Sequence, residues 1–208
     1  PVKGWLIAGR IPASEFVRRL AEERLSHGET AYLLQNLVDS HDTQRVASAI
    51  ANRNRFPEYK SPDWFDYDEG ERVYARSPGY DNGPPDADGR RIWKMVALLQ
   101  ATYVGVPMIY YGTEVGMWSA DDPEDRMPTW WHRMDREIFD AYQSALSLRN
   151  EYPALRRGEF EVIEANDDAQ VFAFERRLGD ERLVVVLNRG EDDYVLNDPK
   201  LNGLSLLY

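Results

Sequence analysis

Apolar positions along the chain fall into three kinds of pattern. In IPASEFVRRLAEERLSHG, the apolar residues Phe16, Val17, Leu20, Ala21 and Leu25 share one face of a helix. Pro12 and Ser14 are its start signals and Gly28 its stop. GRRIWKMVALLQATYVG repeats the helical spacing with Ile92, Met95, Val96, Leu99 and Tyr103. Asp88 is its candidate cap, and Gly105 with Pro107 ends it. A third helix is predicted over about 136–150, carrying Phe139, Tyr142, Leu146 and Arg149 ahead of Pro153. The second pattern is the near-continuous apolar run. AYLLQNLV and VPMIYY have strand length and predict strands buried on both faces. The third begins after Pro153, where EFEVIEA, QVFAFERR and RLVVVLN are β-rich runs separated by NDD and GDE turns.

The order is therefore helix, strand, loop, helix, strand, loop, helix, then β-structure from about Gly158. Alternating helix and strand imply a parallel sheet covered by helices. Both predicted strands run into polar clusters at their C-terminal ends, where such sheets bind ligands. The stretch over 52–88 has little periodicity, several prolines and the aromatics Phe56, Tyr59, Trp64, Phe65, Tyr67, Tyr74 and Tyr80. Connections this long are usually functional. Their rings either stack on a sugar or anchor the loop.

Composition narrows the function. The 208 residues carry a formal net charge of -11, which argues against a polyanionic partner and suits a neutral or cationic ligand. There is no cysteine, so disulfides, thiolate-zinc sites and thiol nucleophiles are excluded, and the compartment stays open. No apolar stretch reaches the length of a membrane span. No nucleotide-binding glycine motif occurs, and His27, His41 and His132 lack metal-ligand spacing. The acids Asp121, Asp122, Glu124 and Asp125 are candidates for calcium but lack the spacing of an EF-hand loop.

The most informative stretch is NLVDSHDTQR, Asn36 to Arg45. Here an apolar run ends in two carboxylates flanking an imidazole, then a hydroxyl and a guanidinium. In a site that cleaves a glycosidic bond, positive charge develops at the anomeric carbon. A fixed carboxylate stabilises that charge, and a neighbouring histidine can hold the ring hydroxyls. By itself the pair is weak evidence, since an ordinary Asp and His in a solvated loop are the commoner case.

DSHDT with Arg45, GVPMIYYGTEVGM and DDPEDRMPTWW together resemble the α-amylase family of glycoside hydrolases, closest to its neopullulanase, cyclomaltodextrinase and maltogenic amylase group. The resemblance implies that His41 binds sugar at the cleavage point and that Asp42 is the transition-state-stabilising carboxylate. Asp122 and Arg126 would hold a donor-side glucose, the alternative being a structural ion pair across the loop. Two departures stand out. Thr113 replaces the acid of a common Gly-Asp-Glu run, and Glu124 stands for the usual Asp.

The family fold implies that 1–157 is the C-terminal portion of a TIM (β/α)8 barrel and that 158–208 belongs to a small all-β sandwich domain, expected to be incomplete. Such a barrel takes about 250 residues, so the chain is expected to be a C-terminal piece of a larger enzyme. A retaining glycosidase needs a nucleophilic and an acid/base carboxylate about 5 Å apart. The family's segments for both are missing from this sequence. The expectation is an α-glucan hydrolase, acting on maltooligosaccharides or cyclodextrins, whose present chain is inactive alone and prone to self-association or homo-oligomer formation. No cofactor is expected, with calcium left open for the complete enzyme, and neither nucleic acid nor membrane is a partner. A non-catalytic carbohydrate-binding module, or a transglycosylase or isomerase of the same family, stays open as an alternative.

Overall fold

The computed structural model describes residues 2–54 and 74–208. A buried π-helical turn, Lys3–Ile7, precedes α1 (Ala13–His27). A 3-10 turn, Gly28–Leu33, leads into β1 (Gln35–Asn36), which is followed by α2 (Val46–Ala51). Then come α3 (Ala87–Thr102), β2 (Val106–Pro107), α4 (Arg136–Glu151) and α5 (Pro153–Arg157). Three strands end the order: β3 (Glu159–Asn166), β4 (Val171–Leu178) and β5 (Glu181–Asn188). Among the described residues there are two sheets, a parallel pair β1–β2 and an antiparallel β3–β4–β5.

The three long helices form where the apolar spacing puts them. In α1, Glu15 lies in the first turn and Arg24 and His27 in the last, which suits the helix dipole. Its first turn is also tied to the sheet. Asp167, in the β3–β4 turn, accepts from the Ser14 amide and hydroxyl, each at 2.7 Å. For α3 the cap is Asp86, not Asp88: the Asp86 carboxylate accepts from the Gly89 amide at 2.7 Å. Asp88 instead pairs with Arg91 and Arg53.

One core joins helices and sheet. Trp5 stacks on Phe16 at 4.9 Å, and both meet the edge of Phe172 from β4. Tyr103, just beyond α3, meets Phe160 and Phe174 edge-on. The C-terminal end of α3 leaves backbone carbonyls without helical partners. Two buried arginines satisfy them. Arg149 donates to the Ala101 carbonyl at 2.9 Å, and to that of Gly105, while Arg176 donates to the Thr102 carbonyl at 2.6 Å. Burial lowers the pKa of both guanidinium groups.

One expectation needs correction. AYLLQNLV and VPMIYY are not strands buried on both faces. Pairing is limited to Gln35 with Val106 and Asn36 with Pro107. Leu33 is 76% exposed, and Leu37, Val106, Met108 and Tyr111 are exposed as well. A strand buried on both faces needs cover on both, and these side chains lie open; among the described residues each strand also has a single partner. Among the described residues the β-segment is one three-stranded antiparallel sheet, with β4 buried at its centre.

Candidate functional site

The turn after β1 is built on two buried residues. Asp39 is 2% exposed and accepts from the Val46 amide at 3.0 Å, the first residue of α2. It also accepts from the Thr113 hydroxyl at 2.7 Å. The carboxylate thus caps the start of α2 and joins the turn after β1 to the turn after β2. Burial raises the Asp39 pKa, and the Val46 amide and Thr113 hydroxyl oppose that rise. Thr113, the residue at which this sequence departs from the family pattern, has a definite partner.

Arg45 is fully buried. It donates to the Tyr111 carbonyl at 2.8 Å and to the Asp125 carbonyl at 2.6 Å. Its guanidinium lies 4.6 Å from the ring centre of Tyr110 and 5.0 Å from that of Tyr111. One side chain therefore holds three segments together: the start of α2, the run after β2 and the 121–126 turn. A planar fork that bonds two carbonyls and stacks on rings is what arginine offers and lysine does not.

On this base sits an exposed rim. Ser40 and Thr43 close a turn through the Ser40 amide and the Thr43 hydroxyl at 3.1 Å. The turn presents His41 and Asp42, both well exposed, with His41 Nε2 3.1 Å from Asp42 Oδ2. Arg126 reaches across from the other turn. It donates to the His41 carbonyl at 3.2 Å and pairs with Asp122 at 2.8 Å, with Asp42 Oδ1 3.6 Å away. All four residues singled out from the sequence therefore lie together, beyond the C-terminal ends of β1 and β2. The ion pair expected as the alternative for Asp122 and Arg126 exists, and it is part of this same cluster. Exposed pairs of this kind contribute little to stability, about 0–1 kcal/mol.

Chemically, the rim offers two carboxylates, an imidazole and a guanidinium around one exposed position. Carboxylates accept from sugar hydroxyls, and the two cationic or neutral nitrogen groups donate to them. Nearby, Trp118 and Trp130 meet edge to face at 4.5 Å, Arg133 covers both rings, and Trp131 is 67% exposed. Among the described residues, no group of three or more His, Asp or Glu side chains comes together as a metal site, the acids of 121–125 included. No helix among them is long and apolar enough to cross a membrane. The aromatic loop lies largely outside the described residues, with Phe56, Tyr59, Trp64, Phe65 and Tyr67. Of its remainder, Tyr80 serves as an anchor: its hydroxyl donates to Gln44 at 2.9 Å.

Sequence reasoning singled out the exposed residues and missed their supports, Asp39, Thr113 and Asp125. A signal for tertiary roles was present at Arg45. A cation at a helix N-terminus opposes the helix dipole, so its presence before VASAIA calls for another partner.

The chain is similar to known proteins in sequence and in fold. No protein-family model matches the chain. Neopullulanase 2 of Thermoactinomyces vulgaris is 32% identical over 193 residues, 90% of this chain and 27% of that enzyme. A cyclomaltodextrinase of Geobacillus thermopakistaniensis is 33% identical over 186 residues, 86% of this chain and 25% of its own length. Among solved structures, a cyclomaltodextrinase superposes with a TM-score of 0.68 at 27% identity, covering 90% of this chain and 26% of that one. The ligand-free cyclic α-maltosyl-(1→6)-maltose hydrolase of Arthrobacter globiformis gives 0.68 at 25%, covering 91% and 35%. The chain spans about a quarter of the length of the curated relatives it matches. Matched along most of its length by these enzymes in sequence and in fold, the chain belongs to the α-amylase family of glycoside hydrolases, alongside its neopullulanases and cyclomaltodextrinases.

Proposed function

We propose that the chain supplies the sugar-binding and charge-stabilising rim of a retaining glycoside hydrolase that acts on α-glucosidic bonds of maltooligosaccharides, cyclodextrins or related glucans. The observation that carries the reading is the convergence of His41, Asp42, Asp122 and Arg126 beyond the parallel strand ends. In this reading Asp42 faces the anomeric carbon and stabilises the positive charge that develops there. His41 donates to a hydroxyl of the same ring, and Asp122 with Arg126 grips the glucose on the donor side. Fixed charges aimed at a developing charge are the largest single source of rate enhancement in many enzymes.

The nucleophile and the proton donor are not among these residues. Asp42 cannot be nucleophile, acid and stabiliser together, since the retaining mechanism uses two further carboxyl groups in distinct roles. We assign both to polypeptide outside this sequence. Residues 1–157 then correspond to the last strands and helices of a (β/α)8 barrel and 158–208 to its trailing β-domain. Exposed Leu37, Val106 and Met108, apolar and on or beside the β1–β2 pair, support that assignment, because exposed apolar groups suit a surface that further polypeptide covers.

Calorimetric binding of maltotriose and maltohexaose tests the reading. Asp122→Ala or Arg126→Ala should weaken the longer sugar more than the shorter. Equal weakening of both, with a lowered melting temperature, would reduce Asp122 and Arg126 to a structural pair.

A further inference from the structure

Asp125 stands apart from the other acids of its turn. It is fully buried, and among the described residues neither of its carboxylate oxygens accepts a hydrogen bond. Its backbone is nonetheless held, because its carbonyl takes the 2.6 Å bond from Arg45. The adjoining residue, Arg126, makes the contacts to His41 and Asp122. A buried carboxylate without hydrogen bonds is strongly disfavoured, whereas the neutral acid is tolerated.

We propose that Asp125 is a positioning residue for the sugar-binding turn: as a neutral acid, its buried carboxyl lets residues 121–126 close over Arg45 and keeps Asp122 and Arg126 against Asp42 and His41. This rests on the sugar-binding reading given above and adds to it a protonation requirement. The groups facing Asp125 are Arg45 at the start of α2, Tyr110 after β2, and Asp121, Asp122 and Arg126 in its own turn. Burial pushes its pKa up to about 6, the charges of Arg45 and Arg126 oppose the rise, and Asp122 and Asp121 add to it. As pH rises through that value, the closed turn must hold an unsolvated anion, and forms that admit water to it gain population. Asp122 and Arg126 then leave their places on the rim.

The sugar used as probe is maltotriose. If only the protonated turn binds, the apparent Kd should rise about 30-fold between pH 5 and pH 7.5. Asp125→Asn keeps the shape and cannot ionise, so it should bind with nearly the low-pH affinity throughout. Any pH dependence arising elsewhere is common to both proteins and cancels in the comparison. The same pH dependence in Asp125→Asn and in the unaltered chain overturns the proposal. A second measurement needs no variant. At pH 6.5, calorimetry in buffers of different ionisation enthalpy should show uptake of about 0.8 proton on binding, and proton-neutral binding refutes it. Infrared difference spectra between the chain and Asp125→Asn, taken without sugar, should show a carboxylic-acid band that fades around pH 6. Its absence at pH 5 also overturns the proposal. A band that titrates, with no maltotriose binding at any pH, overturns the sugar-binding reading instead.

Discussion

Arg45→Met tests whether the rim is held by one buried guanidinium. Methionine has similar length and no charge, so the substitution removes the hydrogen bonds and leaves most of the packing. Two carbonyls, of Tyr111 and Asp125, lose their donor, the Asp125 carbonyl in a fully buried place and the Tyr111 carbonyl in a part-buried one. Each buried acceptor left without a partner costs about 1–3 kcal/mol. Loss of the stacking on Tyr110 and Tyr111 adds about 1–2 kcal/mol. Against this, a buried guanidinium is itself costly, and its removal returns part of the sum. The net expectation is a loss of about 3 kcal/mol. Urea unfolding followed by tryptophan emission measures it, and the midpoint should fall with little change in slope. Maltotriose binding should weaken further than the stability loss alone requires, because the 121–126 turn is no longer fixed to α2. Arg45→Lys should recover little, since a point charge cannot bond both carbonyls and lie flat on the rings. A loss below about 1 kcal/mol in Arg45→Met would mean that the carbonyls find water or the segments are held otherwise, and the account of Arg45 would fall.

Three further outcomes follow from the same geometry. In the complete enzyme, Asp42→Asn should lower turnover by several orders of magnitude with the fold intact, since removal of one weaker donor at such a site already costs about a hundredfold or more; near-normal turnover removes Asp42 from its role. Thr113→Val takes one hydrogen bond from a buried acid whose pKa is already raised above 3.8. Such an acid favours folding most below 3.8, and its contribution declines as pH rises toward the folded value. Losing Thr113 carries that decline on to higher pH, so the variant should lose more stability at pH 7 than at pH 3.5, and equal losses refute the assignment. The chain by itself should not hydrolyse maltooligosaccharides, and light scattering should show its mass rising with concentration, because among the described residues β1 and β2 have one partner each and Leu33, Leu37, Val106 and Met108 on and beside them are exposed. Turnover, or a stable monomer at all concentrations, would contradict the respective half.

What the sequence made legible depends on how local the physical cause was. Helices α1, α3 and α4 were readable because spacing and caps act within a few turns, and β3, β4 and β5 because alternation and turn residues lie side by side. The displaced cap of α3 shows the limit: Asp86 and Asp88 are equally suited by type, and the cap is Asp86 because the helix begins at Ala87, with Asp86 in extended backbone and its carboxylate on the Gly89 amide. AYLLQNLV and VPMIYY failed for a different reason. Continuous apolarity reports the surroundings a segment is suited to, not the neighbours it has. In this chain Leu33 and Leu37 stand in the open, so the same residues that mislead about strand length carry information about what should lie against them. The site divides along the same line. His41, Asp42, Asp122 and Arg126 belong to compact motifs and were visible as chemistry. Asp39, Thr113 and Asp125 have functions that arise only once burial is known, since a carboxyl in water and a carboxyl in a protein interior are different groups. Arg45 lies between these cases. Its type and its position at a helix start were in conflict, and the conflict is resolved by partners more than 60 residues away. A local rule broken without a local remedy marks the place where the tertiary structure supplies one, and here that place is the base of the rim.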